Sequence, residues 1–221
     1  MNCADVAGRT SFTPMKRASI LFAALIALVE LAAFGASFVN NMAEHPHAAV
    51  PLGILWLMFR YFTIWTNTLV GLAFGWMAWR KRALAKPFLA ALVLWILIVG
   101  VVYHLLLAGD TPLHGLDYVS NLLYHTAAPI LVPVWWLAFA PKGGLTSHHA
   151  VIWLAWPLVY LVYAVIRGLE TGFYPYFFLN LDRLGWGGLG LWCVKFLVAF
   201  WIGGLVIVTL GRGLNRLGIS R

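Results

Sequence analysis

Two residues in apolar surroundings have the types and spacing to do chemistry together. Thr63 lies three residues after Arg60 and four before Asn67, while His125 closes an Asp117, Asn121, His125 series at i, i+4 and i+8. On helices, each set shares one face. A threonine hydroxyl is a poor nucleophile at its own pKa and becomes competent when a base within hydrogen-bond reach takes its proton. His125 is of the right type for that base. Asp117 and Asn121 are placed to orient its ring, and Asn67 or Arg60 could donate to a developing oxyanion. The simpler alternatives are a threonine bonded to its own backbone four residues back, and a histidine bridging two helices.

Other polar groups also fall inside apolar stretches, where ionisable side chains are costly and are functional candidates by default. Glu30, Phe34, Ser37 and Asn41 form a third stripe, and Glu30 is expected to neutralise Lys195 or Arg60 across the interior. His104 and His125 could instead ligate a haem as an axial pair, or join a carboxylate around zinc. A carrier or scaffold without catalysis would use a polar cavity equally well. His45, His47, His114, His148 and His149 read as solvated surface.

The elements that must position these residues are membrane spans. Of 221 residues 62% are hydrophobic and 10% charged, with a mean hydropathy of +0.87, far from soluble domains, in which about a quarter of residues are charged. Six apolar runs, at about 18–40, 54–79, 87–108, 118–139, 150–166 and 188–211, approach the ~20 residues needed to cross hydrocarbon. The expectation is an all-α six-helix bundle over 18–211, flanked by tails at 1–17 and 212–221. Lys16 and Arg17 before the first run resemble a signal peptide, but the run is long enough to be a retained helix. Met15 is an alternative initiator, which would leave residues 1–14 outside the translated chain. Cys3 and Cys193 would need the tail to cross the bilayer to pair.

Orientation follows from the cations. Arg9, Lys16, Arg17, Arg80, Lys81, Arg82, Lys86, Lys142, Arg212, Arg216 and Arg221 flank one side, and only Arg167 and Arg183 the other. Eleven against two predicts both termini in the cytoplasm of a multi-pass protein of the bacterial inner membrane. The net charge of +8 therefore reports topology and not nucleic-acid binding. At 1.5 Å per residue, Thr63, His125, Glu30 and Lys195 then lie roughly 11–15 Å below the outer ends of their helices, and His104 roughly 6 Å. The last outer connection, about 167–187, is too aromatic for a solvated linker. It should lie in the interface as an aromatic belt, or form a lid over an outward-opening lipid cavity.

The run Arg60-Tyr61-Phe62-Thr63-Ile64, the run from Asn121 to Thr126 with Pro129 after it, and Thr171-Gly172 with its aromatic-Pro sequence resemble the androgen-induced, androgen-dependent (FAR-17a-like) family of six-helix membrane proteins. The likeness runs from about 54 to 210 and is closest to that family's bacterial branch. Its animal members are intramembrane threonine hydrolases that cleave fatty acid esters of hydroxy fatty acids with one Thr and one His. The resemblance implies Thr63 and His125 for those roles, a lipid or fatty-acyl ester as substrate, and no cofactor. The animal pattern has an acidic residue one turn after the Thr, where this chain has Thr66 and Asn67.

Overall fold

The structure, a computed structural model, describes residues 15–48, 50–109 and 112–218, so that Cys3, Arg9, Asp110 and Arg221 lie outside the described residues. The described residues form helices and no strand. Helix α1 is Arg17–Glu44, followed by α2 (Pro51–Met58) and α3 (Phe62–Arg80). Helix α4 (Lys86–Val102) runs into a π turn, Tyr103–Leu107; α5 (Gly115–Leu122) and α6 (Ala128–Phe139) are joined by a second π turn, Leu123–Ala127. Helices α7 (Ser147–Ile152) and α8 (Ala155–Thr171) are nearly continuous, and α9 is Leu181–Arg216. Among the described residues, the helical stretches Arg17–Glu44, Lys86–Leu107, Gly115–Phe139, Ser147–Thr171 and Leu181–Arg216 are long and apolar enough to cross a membrane.

The span expected at 54–79 is not one helix. It breaks at residues 59–61, between α2 and α3, and side chains take over carbonyls at the break. Trp65 Nε1 donates to Phe59 O at 2.7 Å, Tyr160 Oη to Arg60 O at 2.8 Å, and Arg167 Nη2 to Trp56 O at 2.6 Å. In an apolar medium a broken helix survives only when its freed backbone groups find such partners. These donors come from aromatic and cationic residues that sequence periodicity cannot place.

Three other segments are more helical than expected, α1, α7–α8 and α9 each continuing into residues read as loop or tail, although α9 is kinked at Gly185 (φ 61°, ψ 174°), close to the start expected at 188. Gly172 ends α8 at φ 69°, the left-handed conformation that favours glycine. Asn180 then starts α9 by accepting from the Arg183 N–H at 3.0 Å, an N-cap bond. Residues 172–180 connect the two helices, and they bury Tyr176, Phe178 and Leu179 against the bundle. Arg167, expected in that connection, is a buried residue of α8.

Helix α4 is the most enclosed element, with every residue from Leu89 to Ile96 buried. Leu21, Leu28, Leu31, Leu72 and Leu105 are exposed on the outside, a surface suited to lipid. Lys142, counted among the cations that flank the spans, is buried at 1% exposure and donates to Leu137 O and Ala140 O, both at 2.9 Å. It thereby satisfies carbonyls at the end of α6.

Candidate functional site

Thr63 stands in the first turn of α3, just past the break, and His125 at the middle of the second π turn. Pro129 accounts for part of that turn. It follows His125 by four residues and has no N–H to return to the His125 carbonyl, and the Ala128 N–H reaches back five residues to Leu123 O. Such π turns gather at functional sites because they re-aim side chains within an otherwise regular helix.

Here the re-aimed side chain is the imidazole. His125 Nδ1 lies 3.1 Å from Asn121 O; since a carbonyl only accepts, Nδ1 carries the proton and Nε2 presents its lone pair. Nε2 faces Thr63 Oγ1 at 3.3 Å. The ring is clamped from the other π turn by Tyr103, whose ring stacks on it at 3.9 Å and 17°. Next to it His104 Nε2 meets Thr126 Oγ1 at 3.1 Å, so the two π turns face each other.

The start of α3 supplies the second half of the geometry. First-turn amides of a helix have no intrahelical acceptor and form its positive end. The Phe62 N–H donates to Tyr176 Oη at 3.0 Å, a hydroxyl brought in by the folded 172–180 connection. Burial pushes this hydroxyl up to about 12, against the downward pull of its contacts with the Thr63 hydroxyl, the Thr63 amide and the Phe62 amide. It therefore keeps its proton near neutral pH and can donate it. Thr63 and Tyr176 share the wall of an apolar cavity with Val102, Leu161, Phe178 and Phe196, about 720 Å³ including space open to the surroundings.

The other expected site residues are placed differently. The break puts Arg60 outside α3, so it does not continue the Thr63 and Asn67 stripe; its guanidinium stacks on Phe173 at 4.0 Å. Asn67 Nδ2 donates one hydrogen bond to Thr63 O at 2.8 Å, tying the Asn67 side chain to the backbone one turn earlier. Asn121 orients the ring through its carbonyl, not its side chain. Asp117 lies two turns, about 12 Å, up the helix. Glu30 and Lys195 do not pair: both Glu30 oxygens lack a hydrogen-bond partner, and Lys195 is exposed with Nζ 4.5 Å from the Trp192 ring.

Nδ1 of His125 is held by Asn121 O, Nε2 faces Thr63 Oγ1, and one face of the ring is covered by Tyr103. Among the described residues no three His, Cys, Asp or Glu side chains gather as a metal set. No family model, curated protein or solved structure matches the chain. Tyr103 and Tyr176 were not singled out in the sequence. Tyr103 precedes His104 and could have been suspected; Tyr176 gives no signal beyond the aromatic density of its segment.

Proposed function

We propose that this chain is an intramembrane lipid-ester hydrolase with Thr63 as nucleophile and His125 as base. The observation that carries the reading is Thr63 Oγ1 at 3.3 Å from an Nε2 whose partner nitrogen is held by Asn121 O, at the wall of an apolar cavity. The motif resemblance supports it and suggests fatty acid esters of hydroxy fatty acids as the substrate class. An acyl chain would lie in the cavity with its carbonyl at the start of α3.

His125 Nε2 takes the hydroxyl proton as Thr63 Oγ1 bonds to the ester carbonyl carbon, giving a tetrahedral oxyanion. The Thr63 amide and the Tyr176 hydroxyl are its donors in this reading. Collapse breaks the bond to the alcohol oxygen, which receives the proton from His125, and leaves an acyl-threonine. Water, deprotonated by the same imidazole, then releases the fatty acid and restores the hydroxyl. Purified protein should release alcohol from long-chain acyl esters of 4-methylumbelliferone and from a hydroxy fatty acid ester. Equal turnover by Thr63→Ala would overturn the assignment.

The same reading includes six crossings, with the broken α2–α3 pair as the second, and both ends in the cytoplasm of a bacterial inner membrane. The eleven-to-two cation split supports it. A carrier is the second reading, favoured by the broken helix, because helix ends exposed at depth bind carboxylates in transporters. A carrier would bind fatty acid equally well with Ala at 63 and turn over no ester.

A further inference from the structure

A group of buried oxygens beside the dyad has no use in that chemistry. Glu30 is 4% exposed, Asn67 0% and Tyr124 4%. Both Glu30 carboxylate oxygens, Asn67 Oδ1, Thr68 Oγ1 and Tyr124 Oη are enclosed and have no hydrogen-bond partner. Glu30 of α1 packs directly on α3 at Gly71, where a Cβ would stand 3.0 Å from Glu30 Cβ. Asn67 and Thr68 precede Gly71 by four and three residues and so share the face of α3 that Glu30 covers. Tyr124 comes from the second π turn and lies within electrostatic reach of the Glu30 carboxyl. Three separate segments thus bring oxygen to one region.

The chemistry of that region is one-sided. Three of the five atoms are pure acceptors, and the Asn67 amide already donates one of its two hydrogens to Thr63 O. The cationic side chains that could answer the carboxylate face other groups: Arg60 lies over Phe173 with its Nε unbonded, Arg167 is on Trp56 and Tyr163, and Lys195 is on Trp192. An ionised carboxylate left alone in an apolar interior is prohibitively costly. Either a proton neutralises it or a small cation from solution balances it, and hard oxygen ligands around one negative charge suit a small monovalent cation.

We propose that Glu30, Asn67, Thr68 and Tyr124 form a buried binding site for sodium. The proton competes for the same carboxylate, and the bound ion ties α1, α3 and the π turn that carries His125. The site does not depend on the hydrolase reading.

The test is thermal unfolding of the purified full-length protein in detergent, titrated with sodium chloride against choline chloride at equal ionic strength, at pH 8 and pH 5.5. Wild type should show a saturable rise in Tm of several degrees with sodium only, weaker at pH 5.5. Glu30→Gln should lose the sodium response and Thr68→Ala should weaken it. Should a variant fail to fold, the wild-type salt series decides. Identical sodium and choline curves at both pH values would overturn the site, leaving Glu30 neutralised by a proton alone. So would an undiminished sodium response in a folded Glu30→Gln protein.

Discussion

Thr63 Oγ1 and His125 Nε2, 62 positions apart in the chain, stand 3.3 Å from each other where the first turn of α3 meets a π turn. If they act as one nucleophile and base, Thr63→Ala and His125→Ala should each lower ester turnover by about 10³-fold or more, with the double variant scarcely worse than either. Thr63→Ser should retain part of the rate. Single-turnover acyl release measures all four. Additive losses would mean that the two residues do not share a step. Since only neutral imidazole accepts the proton, turnover should fall as pH drops through the His125 titration.

Tyr176→Phe removes the hydroxyl that meets the Phe62 N–H while keeping the ring that stacks on Phe178 at 4.9 Å. The expected result is a fall in kcat of about 10–10³-fold with KM little changed, and a stability loss of about 1 kcal/mol. A change in KM alone would make the hydroxyl a substrate-binding group.

Gly100→Ala should disturb the dyad from a distance. A Cβ there would come within 2.9 Å of Pro129 Cβ and 3.1 Å of the His125 carbonyl oxygen, so the π turn must shift. About 1–3 kcal/mol of destabilisation is expected, together with reduced turnover. Gly35→Ala, with nothing within 4 Å of the added carbon, is the control and should be neutral or slightly stabilising. Chemical denaturation of both variants, alongside their turnover, checks the contrast.

Lys142→Met keeps much of the apolar stem and leaves Leu137 O and Ala140 O without their donor. A loss of about 1–3 kcal/mol is expected. Burial holds this ammonium below its usual 10.5, so the unfolded chain binds the proton more tightly than the folded one. Stability from this group therefore rises as pH climbs from the lowered value toward 10.5. Lys142→Met should flatten that rise in unfolding measurements across the alkaline range.

Reporter fusions at Glu44 and at Lys81 test orientation. Periplasmic signal at the first and cytoplasmic signal at the second are expected from the cation split. The reverse would place the dyad in the cytoplasmic half of the bundle.

What the sequence determined alone was the helical, apolar character of the chain, because hydropathy over some 20 residues is a local sum that needs no partner. It also singled out Thr63 and His125, since polar residues are conspicuous against an apolar background. It could not decide how those residues are presented. The break at 59–61 rests on Trp65, Tyr160 and Arg167, the last two about 100 residues away, and the Tyr103 clamp arises because two π turns face each other. Asn121 meets the ring through its backbone carbonyl, a contact that its side-chain type does not signal. The pairing of Glu30 with Lys195 failed because opposite charge and similar depth say nothing about which way two helices face. Hydrophobicity is additive along the chain, whereas hydrogen-bond partners and helix rotation are set by contacts between distant segments, and only the tertiary structure decides those.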